Sequence, residues 1–298
     1  MKGIVTEEIY YKSFGKCVKI TNNVVELYVT IEKGPRIIRY GFINRENHFC
    51  ENIPTSMEVM GETWHLMGGH RLWHSPESSP RTYIPDNNPV KWHIKENSIV
   101  FQMNIEPWTQ IKKEIEITLE EGSKVEVIHR LTNKGAWPVE LSAWAITVMA
   151  PGGIGVIPQG KRETNLLPNR VVALWPYSKM NDDRVTWGDK YITIRQDKSK
   201  KEPFKMGISN EEGFAAYFNH NSLFIKSYNH VLGESYPDLG VSYETYTNEY
   251  MLEMETLSPL KKLSTDETIT HIENWVLIDN VSFPREEEKM EKLLMVFV

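Results

Sequence analysis

The chain has 298 residues, 40% hydrophobic and 25% charged, values near the globular average that exclude wholesale disorder. Its 18 Gly and 16 Pro are an ordinary share, which excludes collagen-like and low-complexity chains. A net charge of −6 without any basic run argues against nucleic acid or an anionic membrane as partner.

Two cysteines, Cys17 and Cys50, are too few for a disulfide framework and read as free thiols in a reducing compartment. The N-terminal segment 1–16 carries Glu7 and Glu8 and no apolar core, so no secretory signal is expected. The longest apolar-rich stretch, 141–150, is about half the length of a membrane-spanning helix. Together these features predict a soluble, cytoplasmic protein.

Taken in chain order, period-two patterning predicts strands at 8–12, 17–21, 24–31, 36–43, 90–95 and 98–104. The clearest case is 112–120, where Ile115, Ile117 and Leu119 share one face and Glu114, Glu116 and Thr118 the other. Glu121-Gly122-Ser123 turns the chain into a partner strand at 124–132. Further strands are expected at 139–149, 191–196, 214–219, 223–228, 249–257 and 270–278. A C-terminal helix is expected at 284–298, with Ser282 as N-cap and Met290, Leu293, Leu294 and Phe297 as its apolar stripe. No linker divides the chain, so the pattern predicts one all-β domain, 1–298, built as a large antiparallel sandwich. Three segments, 52–89, 158–188 and 229–248, break the strand rhythm and read as long functional loops.

Two clusters could carry chemistry. In Gly68-Gly69-His70-Arg71-Leu72-Trp73-His74-Ser75-Pro76-Glu77, the glycines permit close approach of a ligand. The His, Arg, Trp and Glu that follow offer proton transfer, charged hydrogen bonds and a stacking face. The blander alternative is that Arg71 pairs Glu77 while Trp73 fills the core. In the second cluster, 250–260, Glu253 and Glu255 share a strand face about 7 Å apart at Cα. Each carboxylate raises the other's pKa, which suits a general base; two ordinary solvated glutamates are the alternative. His271, Glu273 and Trp275 alternate onto one face of a neighbouring strand.

His65, His70, His74 and Glu77 could ligate a metal. Pro76 and the paired glycines oppose the helix that the His70–His74 spacing would need. HExxH and cysteine clusters are absent, so no metal is expected. Nor is there a Walker A, a GxGxxG or a GxSxG sequence, and no cofactor is expected.

The segments GGHRLWHSPE, SAWAITVMAPGG, NRVVALWPYSKMNDDRVTWG and EMETLSPLKKLSTDETITHIENWVL resemble the galactose mutarotase-like superfamily. The resemblance runs in order over about 16–277 and is closest to a branch other than the true aldose 1-epimerases. It implies a β-supersandwich with a carbohydrate site. It also implies anomer interconversion without cofactor or metal: a glutamate takes the anomeric proton and a histidine protonates the ring oxygen. Glu255 matches the glutamate. Gly68-Gly69 matches a substrate loop, placing His70, Arg71 and Trp73 near the sugar, and Gly34-Pro35-Arg36 matches an early turn with Arg36 in contact. The strand after Asn133–Pro138 lacks the expected histidine and carries Trp144 instead. His70 or His74 is therefore the expected acid, with Arg36, Arg71, Trp73, Glu77, Trp144 and Glu253 binding the sugar. Arg36 and Arg71 would favour an acidic or phosphorylated sugar. A silent carbohydrate binder and a sugar lyase or hydrolase on the same fold are the rival readings.

Overall fold

A computed structural model describes residues 4–298, the side chain of Asn52 excepted. In chain order the strands are β1 (Val5–Tyr10), β2 (Lys16–Thr21), β3 (Val25–Thr30), β4 (Ile37–Phe42), β5 (Glu51–Val59), β6 (Glu62–Ser75), β7 (Lys91–Lys95) and β8 (Ser98–Gln102). They continue with β9 (Ile111–Leu119), β10 (Val125–Asn133), β11 (Val139–Met149), β12 (Ile154–Pro158), β13 (Val172–Leu174), β14 (Val185–Trp187), β15 (Tyr191–Arg195) and β16 (Phe204–Ile208). The last are β17 (Phe214–Asn219), β18 (Ser222–Tyr228), β19 (Tyr243–Thr247), β20 (Leu252–Leu257), β21 (Lys261–Leu263) and β22 (Thr268–Asp279).

These strands form two antiparallel sheets. The 12-stranded sheet runs β1-β2-β3-β4-β6-β11-β20-β19-β16-β13, with β5 on β6 and β21 on β11. The 10-stranded sheet runs β14-β15-β12-β17-β18-β22-β10-β9-β8-β7. The core between them takes the alternate apolar side chains of both, among them Leu72, Leu252 and Met254 from the first sheet and Ile115, Ile117, Trp275 and Leu277 from the second. This is the all-β antiparallel sandwich that the period-two pattern predicts.

Each sheet also has an apolar outer face. On the 12-stranded sheet this face gathers Trp64, Leu66, Trp73, Trp144, Ile146, Met251 and Leu257. On the 10-stranded sheet it is covered by the C-terminal helix, Glu287–Leu294, through Met290 and Leu294.

Two expectations need correction. The helix starts at Glu287 after an extended Glu286, not near Ser282, because Val281 and Phe283 pack on the sheet first. Segment 52–89 is largely the hairpin β5–β6 and not a loop. Its alternation is hidden because Met67, Gly68 and Gly69 all have positive φ and the β5–β6 register shifts there. Cβ atoms at Gly68 and Gly69 would lie 2.2 Å from the Cys50 carbonyl oxygen and 2.5 Å from that of Ile37, so the backbone itself demands glycine. Cys17 and Cys50 are free and buried, and burial pushes both thiols up to about 12, which makes them inert at neutral pH.

Candidate functional site

Strand register sets the site. Across the outer face of the 12-stranded sheet, Arg71 on β6 lies opposite Ile146 on β11, Ile146 opposite Glu255 on β20, and Glu255 opposite Glu244 on β19. One row further along, Val148, Glu253, Tyr246 and Lys205 line up across β11, β20, β19 and β16. One row back, Trp73 faces Trp144 and Trp144 faces Leu257. Residues two apart on a strand share a face, so three short rows bring two cations, three carboxylates and two indoles together.

The result is a cleft of about 250 Å³. Its aromatic wall is a chain of ring contacts: Trp64–Trp73 tilted at 5.6 Å, then Trp73–Tyr83 at 5.1 Å and Trp73–Trp144 at 5.5 Å edge-on, between ring centroids. Arg71, Glu77, Tyr177, Lys205, Tyr246, Asn248 and Glu253 supply polar lining.

The charges are arranged in pairs. Arg71 stacks over Trp73 with its guanidinium carbon 4.3 Å from the centroid and donates from Nη2 to Glu253 at 3.0 Å. Lys205 is held over both Trp144 and Trp175, each 4.7 Å away. Its ammonium bridges Glu244 at 2.7 Å and Glu255 at 3.0 Å. Burial works to lower the Lys205 pKa, but the Glu255 and Glu244 carboxylates outweigh it and hold the group firmly protonated. Burial pushes Glu244 well above the usual carboxylate range; Lys205 opposes that shift and Glu255 adds to it. One cation thus sits between two buried carboxylates, and proton uptake at Glu244 is favoured over its ordinary level. Burial also raises Glu253, with Arg71 opposing and the Glu255 charge adding to the effect.

Of the residues singled out in the sequence, Arg71, Trp73, Glu77, Trp144 and Glu253 line the cleft together. Glu77 accepts from the Tyr83 hydroxyl, while Arg71 pairs with Glu253 and not with Glu77. Glu255 was expected to open onto the cleft. It is fully enclosed instead, with Oε2 accepting from Trp144 Nε1 at 2.9 Å and from Lys205. Arg36 was expected to touch the ligand, but it lies outside the lining of the cleft and forms an ion pair with buried Asp86.

The expected acids, His70 and His74, lie on the other side of the sheet. Both have the parity of Leu72, which is in the core between the sheets, whereas Arg71 and Trp73 face the cleft. Among the described residues no histidine lines the cleft. Lys205, Glu244, Tyr83, Tyr177 and Tyr246 were not anticipated. A charged residue amid Phe204, Met206 and Ile208 was the available signal for Lys205, since a lysine at a strand centre needs a nearby carboxylate.

His70 belongs to a buried network joining the two sheets. Its Nδ1 meets Thr147 Oγ1 at 2.8 Å and its Nε2 meets His129 Nε2 at 2.7 Å. His129 Nδ1 donates to the His271 carbonyl at 3.0 Å. The consistent tautomers are therefore a neutral relay, in which Thr147 donates to His70, His70 to His129 and His129 to the backbone. Nearby, Glu273 accepts from Trp275 Nε1 and Thr256 and pairs with Lys226 at 2.8 Å.

His70, His129 and Glu273 have metal-ligand spacing. However, their polar atoms are already used, and Lys226 already neutralises Glu273. A divalent cation would add two charges to a dry interior, so the residues do not fit one. Lys226 is the member whose loss is costly, because Lys226→Ala strands the Glu273 carboxylate. The variant is expected to lose about 3–5 kcal/mol in denaturant unfolding. Lys226→Met combined with Glu273→Gln should recover most of that loss. Equal stability of Lys226→Ala and wild type would show that the pair contributes nothing.

No protein-family model matches the sequence, and no curated protein matches it significantly. Solved structures do match. A TPR-domain containing protein from Parabacteroides distasonis superimposes with a TM-score of 0.64 at 11% identity, over 96% of this chain and 58% of its own. The present chain thus spans little more than half of that protein. An aldose 1-epimerase candidate from Klebsiella pneumoniae gives 0.61 at 12% identity, over 92% of this chain and 83% of its own. A mutarotase candidate from Salmonella typhimurium gives 0.59 at 9% identity, over 94% and 95%. No helix among the described residues is long and apolar enough to cross a membrane. These superpositions show that the chain has the galactose mutarotase-like fold that the sequence resemblance implies.

Proposed function

We propose that the cleft binds a carbohydrate of about one sugar ring and that the protein is an aldose 1-epimerase-like isomerase. The observation that carries this is a set of buried polar atoms without a partner among the described residues. They are Arg71 Nε and Nη1 and Trp64 Nε1, on residues that line the cleft. An unpaired buried polar group costs about 1–3 kcal/mol. Sugar hydroxyl oxygens accept hydrogen bonds, so one polyol can satisfy these donors together, while its C–H face lies on Trp73 or Trp144.

Mutarotation needs one group to accept the anomeric proton and another to protonate the ring oxygen. Glu253 lines the cleft and burial raises its pKa, which supports it as the carboxyl that exchanges protons. Glu255, one strand residue pair along, tunes it and holds Lys205 and Trp144. Glu77 or the Tyr83 hydroxyl then faces the other side of the ring. A silent carbohydrate binder is the second reading, favoured by the lack of any histidine in the cleft.

The arginines do not favour an anionic sugar as the sequence suggests. Arg36 and Arg71 already carry Asp86 and Glu253, and Lys205 already carries two glutamates. A phosphate would face Glu77 and Glu253 without a free cation to offset them. Neutral aldoses are therefore expected to raise the melting temperature in a thermal-shift screen, with their 6-phosphates binding at least about tenfold more weakly. Tighter binding of the phosphates would overturn this charge assignment. Failure of every sugar to shift the transition would remove the carbohydrate reading itself.

A further inference from the structure

A second cavity, of about 140 Å³, lies on the other side of β6, at the rim of the core between the sheets. Ile111, Val139, Leu141, Thr109 and the indole of Trp108 line it, together with His74 and Arg81. Three features set it apart from an ordinary packing gap. First, His74 is 1% exposed, yet its Nε2 makes no hydrogen bond among the described residues; the nearest carboxylate, Glu106, is 3.6 Å away. Glu106 is itself committed to Lys113 and Thr109. Second, Arg81 has no carboxylate partner among the described residues. It donates from Nη2 to the Pro76 carbonyl, and its buried Nε is unpartnered. Third, Trp108 is 52% exposed and Trp137 82% exposed, on two loops joined by a hydrogen bond from the Lys134 amide to the Gln110 carbonyl. Two large indoles left in water on touching loops are an unusual use of surface.

We propose that this cavity is a second binding site, and that it takes a small monocarboxylic acid with an aromatic or branched apolar body. Three aliphatic side chains and an indole favour an apolar ring and offer a polyol nothing to bond. Thr109 already donates to Glu106, so the polar capacity left to a ligand is that of His74 and Arg81. It includes an uncompensated guanidinium, which recognises carboxylates with directed hydrogen bonds. Burial keeps His74 below its ordinary pKa and hence neutral, so it contributes a hydrogen bond and no second charge. Arg81 supplies the charge, Trp108 supplies a stacking face, and the acid's carboxylate satisfies Nε. The site faces away from the cleft and does not depend on the carbohydrate reading.

Benzoate is the probe, with benzamide as its neutral counterpart of the same shape. In isothermal titration of the full chain, benzoate is expected to bind saturably and benzamide at least about tenfold more weakly. Arg81→Gln, on a half-buried loop residue, should erase the difference between the two probes. Trp108→Ala should weaken both about tenfold. A neutral aldose held in the cleft should leave benzoate affinity unchanged. Any of three results overturns the proposal: no saturable benzoate binding at millimolar concentration, equal affinity for both probes in the wild type, or competition between benzoate and the aldose.

Discussion

Acidification from pH 7 to pH 5 is expected to destabilise the native state steeply, well before ordinary carboxylates titrate. Burial lowers His48 and His271 to about 3 and His129 to about 4, and it lowers His70 and His74 as well. In the unfolded chain each of these titrates near 6.5. Between the unfolded and folded values, the unfolded state binds a proton that the native state refuses, so stability falls as pH falls. The contribution is complete above about 6.5 and is lost progressively towards the folded pKa. For His48, His129 and His271 the loss between pH 7 and pH 5 is about 2 kcal/mol each.

Glu244 and Glu253 act in the opposite sense, because burial raises their folded values and the native state gains protons first. Two carboxyls set against five histidines leave a net loss. Urea midpoints measured at pH 7, 6 and 5 should therefore fall by a large fraction of a typical domain's total stability. Midpoints that stay level or rise over this range would show that the histidines are not held neutral.

The same burial explains what the sequence could and could not disclose. Strands 139–149 and 214–219 were legible to the residue, because each is a continuous segment whose pattern needs no partner to be recognised. The hairpin β5–β6 was not, because the positive-φ residues at 67–69 interrupt the alternation on which the reading depends. The site divides along the same line. Glu253 stood out on a patterned strand, Arg71 and Trp73 in a motif read as a loop, and Trp144 only through the resemblance; register then assembled them. His70 and His74 were misplaced because their side was assigned by motif. Parity puts them opposite Arg71 and Trp73, and that could have been read directly from the alternation once 62–75 was known to be a strand. Lys205 and Glu244 were missed for a different reason. Each is one charge in a short strand, and its meaning appears only when β16 and β19 are placed side by side.

The assignment of Glu253 as the proton-exchanging group makes the largest functional prediction. Glu253→Gln keeps the shape and can still accept a hydrogen bond from Arg71, but cannot take a proton at neutral pH. Anomer exchange, followed by optical rotation or by NMR of the anomeric protons, is expected to fall by about 10²-fold or more. Sugar affinity should change far less, because the lost interaction belongs to the transition state. Glu255→Gln should behave differently. Glu255 is enclosed and holds both Lys205 and Trp144, so the variant releases two walls of the cleft. Its expected signature is weaker sugar binding and a lower melting temperature. If instead Glu255→Gln abolishes turnover at unchanged stability while Glu253→Gln stays active, the base is Glu255, and the cleft must open in solution to expose it. Wild-type rates equal to buffer, for sugars that demonstrably bind, would mean that the missing histidine is decisive. Trp144, in the strand that the resemblance gives the histidine, would then serve only as a stacking surface in a protein that holds sugars without isomerising them.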